Sequence, residues 1–181
     1  FSSRGLGDVY KRQGCGGGLV INKKIISGAN GLGGEWSLNQ MPLTNTPNLK
    51  SDKILNFSNR LEGYLSGKSI EKRFNTQFNE SISAKEIFSR YRKKDSNSIL
   101  FINEYKDILA RCLVLIVTTL DPDAIVFGGG ISNEIDFLDQ IKKKTSSYIN
   151  EPNLKTVFLK PKHGDASGVR GAAILSRQSS I

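Results

Sequence analysis

The sequence predicts an α/β fold in which helices and short strands interleave around a layered sheet. Three observations carry this expectation. Apolar residues recur at helical spacing across residues 96–120 (Ile99, Ile102, Tyr105, Ile108, Leu109, Cys112, Leu113, Ile116), which reads as a long core helix ended by Asp121-Pro122. Directly after it, residues 124–127 form an apolar run that reads as a short buried strand entering Gly128-Gly129-Gly130 and then a polar turn at Ser132 and Asn133. A helical stretch near residues 134–150 and a strand at 156–159 follow, and no internal repeat interrupts the alternation.

The remaining elements fall into place in chain order. Residues 1–13 show neither strand alternation nor helical periodicity, and they are expected to be a cloning or assembly scar, with a disordered native tail as the alternative. Residues 19–21 and 24–27 read as a hairpin around Asn22-Lys23, followed by a glycine-rich loop through Gly28, Gly31, Gly33 and Gly34. Pro, Asn and Thr make residues 41–52 an irregular loop. Residues 61–78 read as one helix weakened by Gly63 and Gly67, and Ser83 with Glu86 forms a capping box that opens a short helix. A final helix is expected from about Ser167, with Gly171-Ala172-Ala173 allowing close approach.

Composition narrows the function classes. With 181 residues and 38% hydrophobic content, the chain can bury an ordinary core. No apolar run reaches the roughly 20 residues of a membrane span. The formal charge of +9 falls to +7 without residues 1–13, whose net charge is +2. Basic residues are scattered, with clusters at Arg92-Lys93-Lys94 and Lys142-Lys143-Lys144 that read as solvated helix faces rather than a nucleic-acid surface. The two cysteines, Cys15 and Cys112, lie far apart and match no metal-ligand spacing, which fits a reducing cytoplasm.

Ordinary nucleotide signatures are absent. There is no GxGxxG, and Gly67-Lys68-Ser69 fails as a phosphate loop because Glu62 stands where its first glycine belongs. Gly14, Gly16, Gly17 and Gly18, at the mouth of the hairpin, form either an amide nest for phosphate oxygens or simply a tight turn. Glu35 alone reads as a surface loop acid, and Glu62 as a helix N-terminal charge that complements the dipole.

The order of segments is more specific than any one of them. Gly16-Gly-Gly-Leu-Val-Ile21, Gly28-Ala-Asn-Gly-Leu-Gly-Gly-Glu-Trp36, Leu61-Glu-Gly-Tyr-Leu-Ser-Gly67, Asp121-Pro-Asp-Ala-Ile-Val-Phe-Gly-Gly-Gly130 and His163-Gly-Asp-Ala-Ser-Gly-Val-Arg-Gly-Ala-Ala173 together resemble the ROK family of sugar kinases and sugar-responsive repressors. Glu35-Trp36 and the string from Lys162 look most like its bacterial fructokinase branch. The resemblance implies an actin/hexokinase-like (ribonuclease H-like) lobe, a mixed sheet flanked by helices. Residues 14–181 would be the C-terminal lobe, including a sugar-loop insertion at about 28–67. It further implies that Gly14, Gly16 and Gly17 contact ATP phosphates and that Gly128, Gly129 and Gly130 flank the adenosine. Glu35 and Glu62, with Asn30 and Gly31, would hold sugar hydroxyls, a task suited to carboxylates that accept charge-assisted hydrogen bonds.

Departures from the family matter as much as the matches. The family's aspartate phosphate loop and its Asn-Asp pair, whose aspartate is the general base, have no counterpart here, and a missing base costs about 10²–10⁴-fold. Ser37-Leu38 stands where many members carry Gly-His, and the three-cysteine zinc knuckle aligns with Lys53, Leu55 and Arg60, so no zinc is expected. The implied function is that of a fragment of an ATP- and Mg²⁺-dependent hexose kinase acting on fructose, glucose or mannose. The fragment would be inactive alone, cytoplasmic and drawn from a homodimer. The alternative is the non-catalytic sugar-sensing lobe of a ROK-type repressor.

Overall fold

A computed structural model of the chain describes residues 14–41 and 60–164. The expectations for residues 1–13, for most of the 41–52 loop and for the final helix lie outside the described residues. The chain divides into two units, Phe1–Glu80 and Ser81–Ile181.

In the first unit, β1 (Val20–Ile21) pairs antiparallel with β2 (Lys24–Ile25), Val20 opposite Ile25. Asn22 and Lys23 both take left-handed backbone (φ 49° and 64°), the two-residue turn whose twist matches a hairpin. After the glycine-rich loop comes a single 3-10 turn, Trp36–Leu38. Gln40 then bridges Arg60 antiparallel, and the Leu61 amide donates to Asn39 O at 3.0 Å.

The helix expected at 61–78 is two helices, α1 (Glu62–Leu65) and α2 (Gly67–Phe78). Ser66 separates them. Its backbone is extended (φ −71°, ψ 153°) and its hydroxyl accepts the Ser69 amide, so it caps α2. Gly67 therefore opens a helix instead of weakening the interior of one. Leu61, Ile70 and Phe74 are fully buried and centre this unit's core.

In the second unit, α3 (Ala84–Arg92) starts as expected. Ser83 Oγ accepts the Glu86 amide at 3.2 Å, while the Glu86 carboxylate accepts from Arg90 Nε. The long helix α4 runs Ser96–Leu120, capped by Asp95 through the Ser98 amide at 2.9 Å. It ends at Asp121, which turns left-handed before Pro122. Of its periodic residues, Ile102, Tyr105, Ile108, Leu109, Cys112 and Leu113 are buried, and α4 packs on α3 and α6 (Leu138–Ile149).

Lys106 is buried on the same helix. Its ammonium donates to Tyr91 Oη (2.5 Å) and Gln140 Oε1 (2.8 Å) and lies over the Tyr91 and Phe137 rings at 4.6 and 4.4 Å. Neutral acceptors and ring faces thus replace its lost hydration.

Three parts of the second unit depart from expectation. β3 (Ala124–Val126) pairs parallel with β4 (Val157–Leu159), but it is not buried: Ile125 and Phe158 are half-buried, whereas Ala124, Val126, Val157 and Leu159 share the other, exposed face. Ser132 and Asn133 lie on a short helix, α5 (Gly130–Glu134), rather than in a polar turn, and Ser132 Oγ donates to Gly129 O at 2.7 Å. The helix expected from Glu134 begins only at Leu138, because Ile135 is extended (φ −78°, ψ 112°) and both Ile135 and Phe137 are spent on the core.

One polar cluster ties α4 to α6. Asp107 accepts from Arg111 Nε (2.9 Å), Lys144 Nζ (3.2 Å) and the Tyr148 hydroxyl. Burial pushes the Asp107 carboxyl up, but the hydrogen bonds from Tyr148, Arg111 and Lys144 outweigh it and hold the group below its ordinary value. A carboxyl lowered in the folded state stabilises above its unfolded pKa and loses that contribution as pH falls through the folded value. Tyr148 is raised by burial and then by its bond to Asp107, so its contribution holds below its unfolded pKa and is lost only on the alkaline side. Thermal melts between about pH 3 and 7 should show the wild type weakening on acidification below about pH 4, and Asp107→Asn should flatten that limb. Equal acid limbs in the two proteins would count against the cluster.

Candidate functional site

In the first unit, glycines bring the segment 14–18 against the loop that ends at Trp36. Glu62 Oε1 occupies the space a Cβ on Gly14 would need. A Cβ on Gly17 would stand 2.6 Å from Gly34 O and 2.7 Å from Trp36 Cδ1, and one on Gly34 would stand 2.6 Å from Gly18 Cα. Gly34 also has φ +87°, so both its backbone and its surroundings exclude a side chain. The Trp36 indole N–H donates to Gly16 O at 3.3 Å.

Gly14, Gly16, Gly17 and Gly18 are exposed, and their amides make no hydrogen bond among the described residues. Unpaired amides on adjacent glycines can donate hydrogen bonds to an anionic oxygen, as backbone nests do.

The Gln40–Arg60 bridge and the Asn39–Leu61 bond carry α1 to the end of the loop. Glu62, half-buried in the first turn of α1, and Glu35, exposed just before the 3-10 turn, both act on the same thiol. Burial pushes Cys15 up to about 12, and the Glu62 and then the Glu35 carboxylates add to the shift. The structure therefore brings two of the expected sugar ligands to one place. It also adds Cys15, whose only signal in the sequence was its seat between two of the expected phosphate glycines.

Asn30 and Gly31 sit on an exposed turn closed by the Gly31 amide on Gly28 O (3.4 Å), and no hydrogen bond among the described residues ties Asn30 to either glutamate. In the second unit, Gly128, Gly129 and Gly130 are exposed, and a Cβ on any of them would meet nothing within 4 Å. Only Gly129, at φ +84°, is required as glycine by its backbone.

The described residues hold no group of three or more His, Cys, Asp or Glu side chains able to bind a metal ion. Lys53 and Leu55, at two of the expected knuckle positions, lie outside the described residues. No helix among the described residues is long and apolar enough to cross a membrane.

Comparison with known proteins matches residues 9–179 to the ROK family. The chain is similar to the N-acetyl-D-glucosamine kinases of Erwinia tasmaniensis (34% identical over 167 residues, 90% of this chain and 55% of the relative) and Mannheimia succiniciproducens (36% over 168 residues, with the same coverage). Among solved structures it is similar to a ROK family glucokinase from Streptomyces griseus in complex with glucose and AMPPNP, at 25% identity and TM-score 0.75, covering 91% of this chain and 58% of that one. It also shares a fold with a ROK family transcriptional regulator, a homolog of the E. coli MLC protein, at 18% identity and TM-score 0.61, covering 81% of this chain and 39% of that one. The chain spans about half the length of the curated relatives it matches.

Proposed function

Because this chain belongs to the ROK family, we propose that it is the C-terminal, ligand-holding lobe of an ATP-dependent sugar kinase, the lobe spanning residues 14–181. The observation that carries this reading is the approach of Glu62 to Gly14 and of Trp36, next to Glu35, to Gly16 and Gly17, beside exposed glycines whose amides make no hydrogen bond among the described residues. The two carboxylates would accept hydrogen bonds from sugar hydroxyls, with Asn30 and Gly31 at the rim of the loop. Gly14, Gly16 and Gly17 would meet phosphate oxygens, and Gly128–Gly130 would flank the adenosine. Magnesium would be held by the phosphates, the usual arrangement for this ion. Magnesium bound there would supply charge neutralisation on the transferring group, and the residues named here would orient the two reactants.

The acceptor we favour is N-acetyl-D-glucosamine or glucose, the sugars named for the relatives above. Fructose, favoured by the Glu35-Trp36 string, has no support among them. A cytoplasmic homodimer belongs to the same proposal. The repressor reading draws on Leu38, an exposed leucine where many members carry histidine, and on the fold shared with the transcriptional regulator.

Calorimetry separates these readings. The 181-residue chain would be titrated with N-acetyl-D-glucosamine, glucose, mannose and fructose, and separately with Mg²⁺ and AMPPNP. Binding of a sugar and of the nucleotide is expected. Sugar binding without nucleotide binding would favour the sensor, and binding of neither would end the proposal.

A further inference from the structure

Trp36 joins the two halves of the proposed site within the first unit. Its ring lies where a side chain on Gly17 would go, its N–H holds Gly16 O, and Gly34, two residues before it, lies against Gly18. Glu35 is the residue between Gly34 and Trp36.

The geometry has a consequence for the amides. The carbonyl of Gly16 and the N–H of Gly17 belong to one planar trans peptide and point in opposite directions. An indole that holds the carbonyl therefore aims the Gly17 N–H away from itself. Flanked by glycines, this peptide has little intrinsic preference for either orientation.

We propose that Trp36 is a positioning residue that couples the two ligands. A sugar held by Glu35 fixes the Gly34–Trp36 segment, the indole fixes the Gly16–Gly17 peptide, and the Gly17 amide is thereby set for a phosphate oxygen. By reciprocity each ligand tightens the binding of the other by the same factor. This inference rests on the roles given above to Glu35, Glu62 and the glycines from Gly14 to Gly17.

Trp36 is the only tryptophan in the chain, so its emission reports the coupling element directly. The test titrates Mg²⁺ and AMPPNP with and without saturating N-acetyl-D-glucosamine, and repeats this with glucose, by calorimetry and by emission. In the wild type, sugar should tighten nucleotide binding by about five-fold or more, and each ligand alone should shift the emission. In Trp36→Phe, which keeps a ring and loses the donor, the coupling factor should fall towards one. Coupling that persists in Trp36→Phe, or that is absent from the wild type although both ligands bind, overturns the inference and leaves the proposed function standing. Emission that ignores both ligands while calorimetry detects them does the same, and it needs no variant to fold. If neither ligand binds, the proposed function fails and the coupling fails with it.

Discussion

Phe88→Ala is expected to destabilise the second unit by about 3–5 kcal/mol, the usual range for deleting a buried phenyl ring. Phe88 is fully buried and sits edge-on to Tyr105 (6.2 Å between centroids) and stacked with Phe137 (6.3 Å), so its loss removes packing from α3, from α4 and from the segment ahead of α6 together. Aromatic pairs contribute about 0.5–1.5 kcal/mol beyond area burial, which places this site towards the upper end of the range. Collapse around the hole is limited because Phe137 also covers the Lys106 ammonium, whose hydrogen bonds to Tyr91 and Gln140 hold it in place. Thermal and urea melts followed by circular dichroism would read the effect, and a loss under about 1 kcal/mol would show that Phe88 is not central.

Glu62→Gln is expected to weaken sugar binding by about 10- to 100-fold, and Glu35→Gln by less. A hydrogen bond to a charged acceptor contributes about 1.5–3 kcal/mol, and the larger loss belongs to the carboxylate that is less hydrated beforehand. Glu62 is half-buried, whereas Glu35 is exposed. A second readout needs no ligand. Cys15 is pushed up to about 12 by burial, then by Glu62, then by Glu35, so removing the Glu62 charge should lower the thiol pKa, while burial keeps it above the ordinary value. The pH dependence of thiol alkylation in wild type, Glu62→Gln and Glu35→Gln would show it, with the larger fall in Glu62→Gln. No change in either variant would mean that the carboxylates do not converge on Cys15.

The sequence made the second unit's helices readable because their signals are local. Ser83 and Glu86 sit at cap spacing, and the apolar period of α4 runs unbroken from Ser96 to a proline stop. It misread the places where a local signal competed with a distant one. Ser66 divides a helix because its hydroxyl reaches the Ser69 amide, although Gly63 and Gly67 had suggested only weakness. Ile135 and Phe137 delay α6 because the core takes them. The apolar run 124–127 looked like a buried strand, yet one face of the β3–β4 pair is exposed, and exposure depends on what lies over a face rather than on the strand itself.

The candidate site divides in the same way. Glu35, Glu62 and the glycines around them could be named as candidates from their order along the chain, since residue type is a property of the sequence. Tertiary structure decided that Glu62 displaces any side chain at Gly14, that both carboxylates raise Cys15, and that the Trp36 indole takes the Gly16 carbonyl. Those contacts join residues about 20 or more positions apart, and hydrophobic period and cap spacing, which act within a few residues, carry no information about them.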